Sequence, residues 1–585
     1  MAKSKYTDAV CILIIILMLA VTLLFTFGEE LGIEKVERGS QGRVSYAAAV
    51  SLADENTEIH GSGAYLNGSR VVIAHGGDYT VTGRLSNGQL VVEAESGAEV
   101  RLILAGADVS CSDGAALWIK NAGNTVVELA AGSENRLQSG AVFSAEALSL
   151  DVEGALHSED DLVITGSGSL TVENACSHGI VCKDVLRIDS GSISVHAAGH
   201  GIRGRDSVEI QGGSFVIRAE KDGIQSNNDL DAALGTVSIR SGSFDIEAGE
   251  DAIQAETALS VYGGDFRLKS GEGCSKADLP AGLLPWEGAD ASLSDSAKGL
   301  KAGTDLYIGS GSFTLDCEDD ALHCGGALLV AGGSLTVGSG DDALHSDSSL
   351  TVAGGSIAVV DAQEGMEAPQ LSITGGTVDI ICDNDGLNAN GYGAASLNIS
   401  GGSMSICCQG DGLDSNGDIL ISGGEIYVSA QPSDGNSAMD YAAEHGSSAL
   451  IHGGILVACG FGGMAENFAA VSEQCSVLFH LEEIAEGGTE LRLLDSEGRE
   501  LLCYTPGQDY DAVLISCPSL LEGGSFTLYA GDEKCSVTLT ERSTVYGHGG
   551  MGVMMPPGGM NRPEGMMPPG GMEPPDNRMP RPQRP

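Results

Sequence analysis

The chain has 585 residues, a formal net charge of −51 and only 4% aromatic residues, with two tryptophans, Trp118 and Trp286. A surface that acidic repels nucleic acid and anionic lipid and attracts cations, so an anionic ligand would need a metal between itself and the protein. With 42% hydrophobic and 19% charged residues the body is no disordered polyelectrolyte, and 85 glycines argue for many short strands between tight turns rather than for helices.

The first element is an uncharged apolar run from Val10 to Phe27. As a helix it would reach about 27 Å, just enough for a bilayer core. Lys3 and Lys5 precede it and Glu29 and Glu30 follow it, which places the N-terminus in the cytoplasm and the rest outside, at the cell surface. Residues 1–28 thus read as a cytoplasmic stub and single transmembrane anchor. A cleaved signal peptide is the alternative, although the small residues Ala47 to Ala49 lie far downstream for a cleavage site. Residues 29–58 read as a polar linker. Residues 59–150 carry weaker strand patterns, such as SRVVIAHGGDYTVTG, and read as an N-terminal β cap with the first irregular coils.

Residues 151–460 repeat. HGIVCKDVLRIDSGSISV starts at 178, HGIRGRDSVEIQGGSFVI at 200, DAIQAETALSVYGGDFRL at 251, KGLKAGTDLYIGSGSFTL at 298, DALHCGGALLVAGGSLTV at 320 and DALHSDSSLTVAGGSIAV at 342. The series continues through EGMEAPQLSITGGTVDI at 364 to DGLDSNGDILISGGEIYV at 411. Each unit holds three short alternating apolar segments separated by Gly-Gly or Ser-Gly. One unit of about 22 residues cannot bury its own apolar face, but stacked units can. The predicted fold is all-β: a right-handed parallel β-helix of three sheets. Longer gaps mark insertions at one place in the coil, including one before Lys298 that contains Trp286 and reads as a surface loop. Residues 461–546 lose the period but keep strand signals, as a β-rich C-terminal region. Residues 547–585 are rich in Met, Pro and Gly, a composition that predicts disorder.

The 15 cysteines show no CxxC and no zinc spacing. Cys382 and Cys408 both stand three residues before an Asp in neighbouring coils, so they should stack as buried thiols. Gly199-His-Gly201-Ile-Arg-Gly204 spells a dinucleotide fingerprint, but inside a repeat unit with no helix to follow it has no structural context. There is no GxSxG, P-loop or HExxH.

Periodicity turns positions into columns. The first position of each unit holds His178, His200, Asp222, Asp251, Lys298, Asp320, Asp342, Glu364, Asp385 and Asp411; three residues on stand Val181, Arg203, Gln225, Gln254, Lys301, His323, His345, Glu367, Asn388 and Asp414. Asp319 and Asp341 add acids just before. Like charges about 5 Å apart repel by ~3 kcal/mol at an effective dielectric near 20, so such a column needs protons, basic partners or bridging cations. Dense hard oxygens suit Ca²⁺. The candidate ligands are Asp319, Asp320, Asp341, Asp342, Glu364, Glu367, Asp383, Asp385, Asp411, Asp414, Asn416 and Asp418, with Lys298, Lys301, His323, His345 and Asn388 as candidate ligand-contacting residues. The plainer account is that Asp and Gly are here as turn formers; for the column as a whole, Glu-Gly-Met-Glu and Glu-Asp-Asp go beyond turn chemistry. His157, His323 and His345 share one column, either as stacked structural imidazoles or as metal ligands.

The phrases SAKGLKAG (296–303), DDALHS (341–346), EGMEA (364–368), NDGLNANG (384–391), GDGLDSNGDILISGG (410–424) and AMDY (438–441) resemble a family of Gram-positive surface proteins described as carbohydrate-binding domain-containing. The resemblance covers most of residues 60–540 and is most specific over 290–465. Its characterised member is a calcium-containing β-helix that binds polygalacturonate and cellulose. The resemblance implies a non-catalytic binder of an acidic, polygalacturonate-like polysaccharide, with Ca²⁺ as cofactor. Two other readings stay open. One is a calcium-dependent lyase or a hydrolase on the same fold, with an Arg or Lys base for the lyase. The other is a structural adhesin or spacer.

Overall fold

The structure, a computed structural model, describes residues 46–274, 296–391, 395–431 and 435–547. The apolar run at 10–27, the insertion with Trp286 and the Met/Pro/Gly tail lie outside them. Among the described residues no helix is long and apolar enough to cross a membrane.

The body is all-β, and its strands stack in three parallel ladders, each turn of chain adding one strand to each ladder. In the first ladder Ile180 pairs with Ile202 and Ile202 with Ile224, 22 residues on each time. The second ladder runs through Val185–Ile188, Ser207–Ile210 and Thr236–Ile239 to Ala449–Ile451. The third runs through Ser192–Ala197 and Ser214–Ala219 to Ile455–Gly460. Insertions leave the register intact: Ile253 still pairs with Leu300 across the segment before Lys298. In the first coils the long strand Glu99–Cys111 pairs with Asn124–Leu129 by its first half and with Glu134–Ser139 by its second, which joins the second and third ladders into one sheet.

Alternation within each strand sends every second residue inward. The result is one core from Ala48 to Leu514. Within it Phe215, Phe244, Phe266 and Phe313 stack with ring centroids 4.6–4.8 Å apart, one phenyl per turn at the ladder spacing. The Gly-Gly or Ser-Gly turn before each third-ladder strand from Ser192–Ala197 on holds its second residue, a glycine, at positive φ. At Gly264 φ is +127°, and a Cβ there would meet the Gly242 carbonyl and the Phe266 ring at about 3 Å. Phe266→Ala would open a cavity between two rings and should cost about 3–5 kcal/mol. Thermal and denaturant melts of the variant check this, and a loss below about 1 kcal/mol would mean that the stack collapses without penalty.

One region departs from expectation. The segment 29–58, read as a linker, contains the strand Tyr46–Leu52, paired antiparallel with Glu58–Gly61 and parallel with Gly77–Leu85. Ala48, Val50 and Leu52 point into the core, an alternation hidden by the run of small residues. At the other end Ile455–Gly460 pairs antiparallel with Tyr510–Ser516, which ends the parallel stacking. Beyond it a four-stranded antiparallel sheet, Glu500–Tyr504, Leu491–Asp495, Ser525–Ala530 and Glu533–Thr538, lies over a second core around Phe479, Tyr510 and Phe526. Cys382 and Cys408 pair directly between third-ladder strands as free, buried thiols, and burial pushes Cys382 up to about 12.

Candidate functional site: a carboxylate column on the first ladder

Several first-ladder strands begin with the same physical problem. The N–H of the first residue arrives before the parallel pairing can supply an acceptor, and a buried N–H left unpaired is costly. The side chain one turn earlier solves it. His178 Nδ1 accepts from the His200 N–H at 2.9 Å, Asp222 Oδ1 from Asp251 at 3.0 Å, and Asp251 Oδ1 from Lys298 at 2.8 Å. Asp320 Oδ1 accepts from Asp342 at 3.1 Å and Asp385 Oδ1 from Asp411 at 2.6 Å, while Asp411 Oδ1 takes the Ser437 N–H. The small residue that follows is also imposed: a Cβ on Gly386 or Gly412 would lie 2.4 and 2.1 Å from the Ile406 and Val428 side chains. The D-G/A pattern is therefore a structural rung, and it occupies one carboxylate oxygen. In Asp222, Asp251, Asp320 and Asp342 the second oxygen meets a residue of the outer column.

Three residues on, that outer column is continuous by register: His157, Val181, Arg203, Gln225, Gln254, Lys301, His323, His345, Glu367, Asn388, Asp414 and Asp440. Asp342 also pairs with Glu364. Asp440 extends the acids one turn beyond the last predicted; its signal was the AMDY phrase, whose Met439 pairs with Leu413 across an insertion.

The column has two electrostatic halves. In the first, cations answer the acids. Lys301 Nζ lies 2.9 Å from Asp251 Oδ2, and Lys298 Nζ lies 2.7 Å from Oδ2 of both Asp319 and Asp320. His323 Nδ1 is 2.8 Å from Asp320 Oδ2 and His345 Nδ1 is 2.6 Å from Asp342 Oδ2, the two rings stacked 5.0 Å apart. Burial opposes ionisation of Asp320, yet the His323 bond and the Lys298 charge hold it down to about 2. The bond to Asp342 pushes His345 up to about 9. Burial lifts Asp341, with Asp320 and Asp319 adding repulsion. Arg203 is spent on Glu153 and His178.

In the second half, Glu364 through Asp414, the donors are neutral. Asn384 and Asn388 each donate to Glu364 at 2.9 Å, and Asn390 donates to Glu367 at 3.2 Å. Among the described residues no lysine or arginine pairs with Glu364, Glu367, Asp385, Asp411 or Asp414. Burial pushes Asp414 up to about 8, and the carboxylates of Asp385, Asp411, Asp440 and Glu364 add to the shift. Burial likewise raises Glu364 and Asp411 to about 7, and raises Asp385 and Glu367. Asn388, only 6% exposed, uses its amide N–H on Glu364 and leaves its carbonyl Oδ1 without a partner.

Three predicted positions turn elsewhere. Asp383 accepts from Gln409 at 2.9 Å, and Asn416 donates to Asn390 from an exposed position. Asp418 opens a second-ladder strand and accepts from the Ser448 N–H at 2.8 Å.

Comparison with known proteins bears on this surface. A family model described as carbohydrate-binding domain-containing protein matches residues 67–343 and 341–463. A carbohydrate-binding domain-containing protein of Acetivibrio thermocellus is 32% identical over 170 residues, which is 27% of this chain and 59% of that relative. A solved structure described as a polysaccharide lyase-like protein from C. thermocellum, in a gadolinium derivative, is 29% identical, with a TM-score of 0.37 over 38% of this chain and 90% of that one. With the family model spanning the whole carboxylate column, this chain belongs to the carbohydrate-binding domain-containing protein family.

Proposed function

We propose that the protein is a non-catalytic binder of an acidic polysaccharide of the polygalacturonate type, and that calcium on the second half of the column bridges its carboxylates to those of the glycan. The observation that carries this reading is the unpartnered, buried Asn388 carbonyl, set in register between Glu367 and Asp414 in a stretch of acids without a basic partner among the described residues. A neutral carbonyl with no donor, ringed by carboxylates, is the donor set of a hard cation. Glu364, Glu367, Asn388 and Asp414 would hold it, with the carboxylates of Asp385 and Asp411 nearby. The bound ion would supply positive charge for uronate carboxylates on a surface that otherwise repels them. Few exposed aromatics suit charge-led rather than ring-stacking recognition. The apolar run at 10–27 would anchor the right-handed β-helix outside the cell. Lyase chemistry is less well supported, because Arg203 and Lys301 are both held by carboxylates.

Pull-down on polygalacturonate with calcium and with chelator tests the reading. Binding is expected with calcium and should vanish with chelator, without new reducing ends and without unsaturated, ultraviolet-absorbing product. Either product would turn the reading to catalysis. No retention in either buffer would leave only a structural role.

A further inference from the structure

The same column contains a second group of ligand atoms whose chemistry differs. Asp342, His345 and Glu367 offer one ligand atom each within 4.8 Å of one another. They come from two adjacent turns, fixed by the pairings Asp342 with Glu364 and His345 with Glu367. The neighbouring group, Asp320, His323 and His345, already has a cation, since Lys298 Nζ is 2.7 Å from Asp320. No lysine or arginine ion pair reaches Asp342 or Glu367 among the described residues. His345 Nδ1 lies 2.6 Å from the buried Asp342 Oδ2, and its Nε2 lies 3.3 Å from Asp347 Oδ1. One turn on, Asn388 stands in register with Glu367, its buried carbonyl Oδ1 without a partner.

We infer that Asp342, His345 and Glu367 form a site for a transition-metal dication of the zinc class, sharing Glu367 with the all-oxygen calcium stretch that follows but distinct from it in chemistry. An imidazole nitrogen suits Zn²⁺, Co²⁺, Ni²⁺ or Cu²⁺ and is a poor ligand for Ca²⁺, whereas carboxylate and carbonyl oxygens alone suit Ca²⁺. Three protein ligands leave a coordination position open, as in zinc sites that hold water or substrate. Binding replaces the proton shared by His345 and Asp342 with the metal, so one proton leaves for solution. The inference rests on the ladder register, not on glycan binding, and it stands if the glycan reading fails.

The test is metal titration of the intact, metal-stripped chain with Co²⁺, read by visible absorption, alone and against Zn²⁺ and Ca²⁺. One equivalent should bind with ligand-field bands, be displaced by Zn²⁺, and resist a large excess of Ca²⁺. His345→Gln and, separately, Glu367→Gln should each weaken Co²⁺ by more than about tenfold. Melting curves show that each variant folds, and Asp418→Asn, on another ladder, should leave Co²⁺ affinity unchanged. Equal Co²⁺ affinity in folded His345→Gln, or displacement by stoichiometric Ca²⁺, overturns the site. Chelator-sensitive polygalacturonate retention by His345→Gln, measured on the same preparation, separates failure here from failure of the calcium reading.

Discussion

Asp414→Asn is expected to stabilise the metal-free protein while weakening its calcium binding, two effects of opposite sign from one oxygen. The Asp414 carboxyl is raised from an ordinary 3.8 to about 8, first by burial and then by Asp385, Asp411, Asp440 and Glu364. Between those two values the folded chain keeps a proton that the unfolded chain has released. The stabilisation is therefore complete below the ordinary value and is lost as pH rises through about 8. A single such carboxyl lowers stability by at most ~1.4 kcal/mol per pH unit across that window. Glu364 and Asp411, each raised to about 7, add slopes of the same sign. With chelator present, the parent should thus melt at lower temperature at pH 8 than at pH 5. Asparagine at 414 removes one of these terms and should narrow the gap from the pH 8 side. Calcium at 100 times its dissociation constant should restore ~2.7 kcal/mol to the parent and markedly less to the variant. Melting curves at pH 5, 6.5 and 8, in chelator and in calcium, measure all of this. A metal-free variant less stable than the parent at pH 8 would show that the carboxylate is already compensated.

Much of this geometry is legible in the sequence because a ladder converts spacing into position. Once Ile180, Ile202 and Ile224 repeat at 22 residues, every outward side chain three places after the Asp falls in one column. Two accounts of the acids, turn formers and ligands, look like rivals when only letters are available. In the structure they apply to different oxygens of one carboxylate: Asp320 Oδ1 takes the Asp342 N–H, while its Oδ2 meets Lys298 and His323. Spacing carries no information at that level. Nor does it say which acids are already answered. Lys298 occupies the first position of its own unit, yet its ammonium reaches forward one turn to Asp319 and Asp320. A long side chain crosses turns that the repeat keeps apart. Asp418, read as a ligand from its closeness to Asp414 in the chain, opens a strand of another ladder and caps Ser448. Asp440 was missed for the opposite reason, because an insertion hides a residue that the register brings to Asp414.

Lys298 answers two acids of the first half of the column, and removing its charge should leave them uncompensated. The ammonium is 12% exposed and lies 2.7 Å from two carboxylates, one of them the deeply buried Asp320. Lys298→Met keeps most of the aliphatic stem and deletes only the charge. Breaking a buried pair by removing one partner typically costs about 3–5 kcal/mol, because the remaining charge is left uncompensated. The cost should depend on pH with a definite sign. In the parent, Asp320 is depressed from an ordinary 3.8 to about 2, so its stabilisation is present above the ordinary value and fades as pH falls towards 2. Without the lysine Asp320 keeps only His323 and the Asp342 N–H, and its carboxyl should move up. The deficit of the variant should therefore be largest near pH 7 and shrink towards pH 4, where the carboxyls take up protons instead. Lys301→Met, with 29% of its side chain exposed and a single partner in Asp251, should lose less. A divalent cation can replace the missing ammonium among Asp319, Asp320 and Asp341, which already lie within 4.8 Å of one another. Calcium should thus recover part of the loss in Lys298→Met through a site that the lysine fills in the parent. A deficit equal at pH 4 and pH 7 and indifferent to calcium would assign the loss to packing of the lysine stem rather than to its charge.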